Sequence, residues 1–213
     1  MNVFVLCTGR CGSQTFIKAC SHFTNYSSAH ESRMSLLGPE RLRYPSNHIE
    51  ADNRLSWLLG RLDEAYADAA FYVHLERDVA AVAASFVKRY NFGIMQAYRD
   101  PGIIMGLPKN TDPMQVAVDY CNTVDRNIEL FLKDKSRKMT LWLESARQDF
   151  PAFCERIGAE GDLAGAQSEF SIRHDQRVHR KRFSLWRPQR PIAGFVPLFM
   201  GLQAGIARLQ DLC

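Results

Sequence analysis

The sequence predicts an α/β protein: a single domain over residues 1–213, built as a three-layer α/β/α sandwich around a mainly parallel central sheet. Three observations predict it. Four strand-like stretches alternate with helical patterns along the chain, and such alternation builds βαβ units with parallel strands. The 213 residues, 46% of them hydrophobic, supply one sizeable core, and neither an internal repeat nor a domain boundary divides them. The first strand also runs directly into a glycine-punctuated turn that opens a helix, "VFVLCTGRCGSQTF" at residues 3–16, which is how phosphate-binding loops are built.

The elements follow in order. "NVFVLC" is a continuous apolar run with β-branched and aromatic residues, hence a buried strand. Ser13 to Phe23 reads as a helix and Asn25 to His30 as a short second strand. Residues 32–47 carry prolines and no clean period, so they read mostly as loop. Asp52 can cap a helix over "NRLSWLLGRLDEAYA", where Leu55, Leu58, Leu59 and Leu62 share one face. "AFYVHLER" is the third strand, followed by an alanine-rich helix, "VAAVAASFVKRY", capped by Asp78. Residues 91–111 read as a long loop, Asp112 to Lys133 as a long amphipathic helix, and "KMTLWLE" as the fourth strand. "SARQDFPAFCERIG" is a helix ending at Gly158. Residues 159–192 are polar and irregular, and an apolar helix kinked near Pro197 closes the chain as a candidate homo-oligomer interface.

Composition excludes several classes. No run is long enough for a membrane span, and the N-terminal apolar run is too short for a signal peptide, so a cytoplasmic protein is expected. The six cysteines are scattered without zinc-ligand spacing, which reads as free thiols and no metal centre. Cys7 and Cys20 suit core packing; Cys11 lies in the loop, but no base for a nucleophilic role is identifiable. A net charge of +4 does not mark a nucleic-acid binder. The charge is concentrated late, with seven arginines and lysines from Arg173 to Arg190 against Asp175 alone, interleaved with aromatics.

In a parallel sheet, ligands lie at the carboxyl ends of the strands. That rule selects the turns after the first, second and third strands. In the first, the amides of Gly12, Ser13, Gln14 and Thr15 open a helix, where unpaired N–H groups and the helix dipole favour an anion. The Ser13 and Thr15 hydroxyls add donors, and Arg10 adds a planar fork matched to phosphate or sulfate oxygens. The common nucleotide loop G-x-x-x-x-G-K-[ST] is not matched, because Ser13 stands where the lysine belongs. A magnesium–triphosphate kinase or hydrolase is therefore disfavoured.

The stretch "FVLCTGRCGSQTF" resembles the 5′-phosphosulfate-binding loop of the sulfotransferases, which use 3′-phosphoadenosine 5′-phosphosulfate as co-substrate and have a P-loop NTPase-like fold. Arg10, Gly12, Ser13, Gln14 and Thr15 match that loop, and Cys11 lies within it. The resemblance extends to "HLERDVAAVAASF", where Arg77 ends a strand and Ser85 follows eight residues later; in the family such a pair binds the donor's 3′-phosphate. Each also has a plain reading, Arg77 as the partner of Asp78 or Glu76 and Ser85 as a small packing residue. A third, looser similarity is "HRKRFSLWRP", whose Arg180, Lys181, Arg182 and Trp186 resemble a basic segment that covers the donor.

The resemblance implies in-line transfer of a sulfuryl group, without metal, to a hydroxyl or amine of a glycan or small-molecule acceptor. Arg10 and the loop amides would stabilise the transferring charge. In the Golgi-type and bacterial branch a glutamate after the second strand is the base, often with an arginine two residues on; Glu31 and Arg33 fit, and His30 is the rival base. Many Golgi-type members also carry a catalytic lysine between the two donor motifs. Here "HIEADN" offers Glu50 and Asn53 but no lysine, so either Arg10 carries the load or another cation moves in; Glu50 is a candidate to bind acceptor or to position Arg33. Tyr90, Phe92, Met95, Tyr98 and Met105 are candidates for the acceptor side, or for simple loop packing. The rival readings are a small-molecule kinase on the same architecture and a non-catalytic nucleotide or polyanion binder.

Overall fold

In the computed structural model, residues 1–172 are described. Five strands, β1 (Val3–Leu6), β2 (Ser27–His30), β3 (His48–Ala51), β4 (Phe71–Glu76) and β5 (Lys138–Trp142), form one sheet in the order β2-β3-β1-β4-β5, and every pairing is parallel. Among the described residues seven α-helices accompany them: α1 (Ser13–Cys20), α2 (Leu59–Tyr66), α3 (Val79–Val87), α4 (Ile94–Tyr98), α5 (Pro113–Leu132), α6 (Ala146–Ile157) and α7 (Leu163–Ser168).

The three layers follow from strand alternation. Val3 and Val5 of β1 and Phe71, Val73 and Leu75 of β4 point to one face, where Phe16 of α1 and Phe150 and Phe153 of α6 meet them. Phe4, Leu6 and Tyr72 point to the other, against Leu62, Phe86, Tyr120 and Val124 of α2, α3 and α5. β1 is therefore buried on both faces, which is why it reads as an unbroken apolar run. From β1 the chain turns to α1 on the first face and then to β2. From the adjacent β4 it turns to α3 on the second face and on to β5. The β1 and β4 connections diverge, leaving the crevice of a topological switch point between their carboxyl ends.

Local signals hold where the chemistry is local. The Asp78 carboxylate accepts from Ala81 N at 2.8 Å and Asp112 from Met114 N at 2.9 Å, so α3 and α5 start as expected. Gly158 ends α6 in left-handed backbone. α6 continues through Pro151, which cannot donate to the Arg147 carbonyl, and Gln167 Nε2 fills that place at 2.8 Å.

Three departures have physical causes. β3 escapes the pattern reading because His48 and Glu50 look exposed, yet both are buried and satisfy each other: His48 Nε2 lies 3.0 Å from Glu50 Oε2, Ser27 Oγ 2.8 Å from His48 Nδ1, and Ser32 donates to both Glu50 oxygens at 2.7 Å. The helix expected from Asp52 divides into a 3₁₀ turn, Asn53–Trp57, and α2. Asp52 does cap it, at 2.8 Å from Arg54 N, but Asn53 and Ser56 are drawn to the carbonyls of Thr8 and Cys7 and the first turn tightens. The loop over residues 91–111 contains α4, because Met95 and Tyr98 are buried against α5 and the Tyr98 hydroxyl donates to Asp119 at 2.5 Å.

Asp52 itself is fully buried, and its charge is met by the buried Arg41 at 2.5 Å; Arg41 also donates to Tyr44 Oη at 3.2 Å. Removing one member of such a pair strands the other. Arg41→Met should therefore lower unfolding stability by about 3–5 kcal/mol, read from urea denaturation, whereas Arg43→Met, at an exposed pair with Glu40, should change it by less than about 1 kcal/mol.

Candidate functional site

The carboxyl edge of the sheet gathers most of the residues singled out above. After β1 the backbone enters the left-handed region at Gly9 (φ 84°), Arg10 (φ 62°) and Gly12 (φ 87°). At Gly12 a side chain is doubly excluded, because a Cβ would stand 2.4 Å from Leu143 Cδ1. The loop carbonyls are held by the protein: Thr8 O accepts from Tyr120 Oη at 2.7 Å and Asn53 Nδ2 at 3.4 Å, Cys7 O from Ser56 Oγ at 3.3 Å, and Arg10 O from Arg77 Nη1 at 3.1 Å. Gly12 caps α1 without a side-chain hydrogen bond, and no acid occupies the first turn. The opening amides of α1 and its dipole thus have no carboxylate of the helix's own, an arrangement suited to an external anion.

Cations converge on that loop. Arg10 Nε donates to Ser85 Oγ at 2.9 Å, so Ser85 and Arg77 both meet Arg10, one through its side chain and one through its carbonyl. Arg77 pairs with neither Asp78 nor Glu76; its carboxylate neighbour is Glu144, at a loose 3.9 Å. Partial burial and the charges of Arg89 and Arg77 lower the Arg10 pKa from its ordinary value. Arg89 was not legible as a site residue; it stands on the turn just past the end of α3 at Val87. Like charges gathered in this way repel one another, a cost that an anion among them would offset.

Across the loop, His30 ends β2 with Nε2 3.0 Å from the buried Ser13 Oγ. Glu31 follows in left-handed backbone (φ 51°), its N–H held by Ala51 O at 3.0 Å. Its carboxylate is paired with Arg54 Nη1 at 3.0 Å, not with Arg33. Arg33 instead donates to Glu40 O at 2.8 Å and sits over the Tyr44 ring. Glu50 is fully buried and occupied by Ser32 and His48, so it neither faces an acceptor nor positions Arg33.

The remaining candidates divide. Gln14 is exposed and Thr15 half-buried on the first turn of α1. The Cys11 side chain is fully buried against Cys7, whose thiol is pushed up by that hydrogen bond and by burial; Cys11 can offer a ligand only its backbone. Met95 and Tyr98 belong to the core, and of the loop aromatics Phe92 alone is well exposed. A cleft of about 480 Å³ along that loop is lined by Tyr90, Arg99 and Asp100 among others, and no residue of the anion loop borders it. Arg180, Lys181, Arg182 and Trp186 lie outside the described residues, as does the closing apolar segment.

One charged group near the site had no sequence signal. His74, third from the end of β4 and almost fully buried, has Nδ1 2.9 Å from Glu76 Oε1 and Nε2 3.3 Å from Asp125 Oδ1. Burial alone would depress the imidazole, but hydrogen bonds to Asp125 and Glu76 outweigh it and raise the pKa to about 9. The imidazolium ties β4, just before Arg77, to α5.

No protein-family model and no curated protein sequence matches this chain. Among solved structures it is similar to the sulfotransferase domain from the curacin biosynthetic pathway, with a TM-score of 0.54 and 15% identity, over 81% of this chain and 78% of that one. The two share the α/β fold. No described helix is long and apolar enough to cross a membrane.

Two outcomes test this geometry. Because the folded-state pKa of His74 lies above the ordinary value of about 6.5, its stabilisation is complete below pH ~6.5 and disappears as pH rises through about 9. Urea unfolding should lose up to about 3 kcal/mol over that interval, and His74→Gln should remove most of this dependence. At Glu31, left-handed backbone predicts that Glu31→Gly is more stable than Glu31→Ala by about 1 kcal/mol, the reverse of the usual order.

Proposed function

We propose that this protein is a sulfotransferase that moves a sulfuryl group from 3′-phosphoadenosine 5′-phosphosulfate to a hydroxyl or amine of a glycan or small-molecule acceptor. The observation that carries the reading is the three-residue junction at the β1–β4 crevice, in which Arg10 donates to Ser85 and accepts from Arg77. These residues come from two loops and a helix and meet around a lysine-free anion loop. The shared fold with a sulfotransferase domain supports the reading independently of those residues.

The donor supplies an activated sulfuryl group with adenosine 3′,5′-bisphosphate as leaving group. The loop amides, Ser13 and Arg10 are the groups suited to its phosphosulfate, and Arg77, Ser85 and Arg89 to a second phosphate. The acceptor oxygen forms a bond to sulfur as the sulfur–oxygen bond to the 5′-phosphate breaks, its electron pair passing to the phosphate. The acceptor proton passes to Glu31, at the end of β2. Positive charge fixed before the reaction stabilises the oxygens that become more negative, which is where electrostatic catalysis is most effective. His30, held by Ser13, is the rival base. A carboxylate in this place corresponds to the Golgi-type and bacterial branch.

Calorimetric titration with adenosine 3′,5′-bisphosphate should give micromolar binding. Loss of a charge-assisted contact of about 1.5–3 kcal/mol predicts that Arg77→Ala weakens it roughly 10- to 100-fold. Glu31→Gln should abolish turnover with that binding intact. Absence of bisphosphate binding together with magnesium-dependent ATP binding would replace this reading with the kinase one.

A further inference from the structure

We infer that Arg54 is the positioning residue for the base, and that it supplies the cation missing from the segment "HIEADN". The inference rests on the sulfotransferase reading and adds a residue to it.

The geometry is specific. Arg54 Nη1 lies 3.0 Å from Glu31 Oε1, and among the described residues Arg54 is the cation within ion-pair distance of that carboxylate. Arg54 is itself anchored at several points. Its backbone N–H is held by Asp52 Oδ1 at 2.8 Å, the same oxygen lies 3.9 Å from Nη1, and Asn53 Oδ1 lies 3.4 Å from Nη1. Each anchor is in turn fixed. Asp52 is fully buried and bound by Arg41, and Asn53 Nδ2 reaches Thr8 O at the start of the anion loop. Glu31 is fixed from the other side by its N–H bond to Ala51 O, the last residue of β3. A short chain of contacts thus runs from the loop after β1, through the turn after β3, to the carboxylate after β2.

That arrangement does three things at once. It orients one carboxylate oxygen toward Arg54 and leaves the other for the acceptor proton. It fixes the base relative to the anion loop through Asn53, so that donor and base hold a constant separation. It also places positive charge beside the base without a lysine. Arg33, two residues after Glu31, cannot do this while it is held by Glu40 O and Tyr44. Side chains that merely formed a surface ion pair would lack the buried Asp52–Arg41 support beneath them.

The experiment has two arms on the full chain. Bisphosphate calorimetry on wild type, Arg54→Met and Arg54→Lys should give dissociation constants within about twofold of one another, since Arg54 does not contact the donor loop directly. Turnover is followed as adenosine 3′,5′-bisphosphate released from 3′-phosphoadenosine 5′-phosphosulfate, with 4-nitrophenol or glucosamine as acceptor. Misplacement of a base by about 1 Å costs about 100-fold, so Arg54→Met should lower kcat roughly 100-fold with the donor KM unchanged. Arg54→Lys should recover about tenfold of that loss, and added guanidinium chloride at low millimolar concentration should partly restore Arg54→Met. An active wild type whose Arg54→Met variant keeps kcat within about threefold overturns the inference and leaves the sulfotransferase reading intact. A folded Arg54→Met variant that loses bisphosphate affinity and kcat together also overturns it, because that pattern is general damage to the site. A wild type that neither binds bisphosphate nor releases it overturns the sulfotransferase reading and the inference together.

Discussion

The structure depends on one conformational constraint: within a few residues the chain leaves a strand buried on both faces and enters a helix. It does so by a turn through left-handed backbone at Gly9, Arg10 and Gly12, and one of those residues is not glycine. A non-glycine residue there costs on the order of 1–2 kcal/mol, so the surroundings must hold it in place. They do so through the carbonyls. Tyr120 from α5, Asn53 and Ser56 from the turn after β3, and Arg77 from the end of β4 each grip one. Elements far apart in sequence are thereby tied to a single short loop. The strain at Arg10 aims its guanidinium at Ser85 instead of letting it trail into solvent.

Charge is distributed by the same logic. Deep charged groups are closed off: Asp52 by Arg41, Glu50 by hydrogen bonds with Ser32 and His48, and His74 between Glu76 and Asp125. A charge taken out of water must find its counter-charge inside the fold, and these groups have no capacity left for a ligand. The anion loop differs in gathering charge of one sign. Arg10, Arg77 and Arg89 crowd together closely enough to disturb one another, and the carboxylate nearest to Arg77 is at 3.9 Å. Excess like charge at the mouth of a helix N-terminus is unfavourable for the protein alone and favourable once an anion enters. The contrast between closed pairs in the core and like charge gathered at the sheet edge separates structural groups from candidate ligand-binding ones.

This contrast also explains what the sequence could and could not reveal. Elements set by local chemistry were legible: the apolar run of β1, the Asp78 and Asp112 caps, the Gly158 stop and the glycine loop. β3 was not, because "HIEA" becomes a buried strand only once Ser27 and Ser32, from neighbouring segments, satisfy His48 and Glu50. His74 was hidden for the same reason, since its partners sit two and fifty-one positions away. Arg10, Arg77 and Ser85 could be singled out from spacing, but not the fact that Arg10 is the hub between the other two. Arg89 was not legible either, because it lies on the turn past the end of α3, outside the helical spacing that relates Ser85 to its neighbours. The partner of Glu31 carried none: residue spacing suggested Arg33, whereas the parallel β2–β3 pairing brings Arg54 beside it.

That last exchange bears on how such a site can change. In a parallel sheet the ends of adjacent strands lie side by side, so a cation beside the β2 carboxylate can come from its own loop or from the turn after β3. The His30↔Ala51 register brings Glu31 level with Asp52 and leaves Arg54 within reach on the 3₁₀ turn. The tighter turn, produced by Asn53 and Ser56 reaching for the loop carbonyls, is what brings Arg54 round. A regular α-helix from Asp52, as the leucine spacing alone would suggest, would rise more slowly and turn by a different angle per residue. Arg54 would then project elsewhere. The departure from the expected helix and the unexpected partner of Glu31 are one event, and its origin is the need to hold the carbonyls of the strained loop after β1.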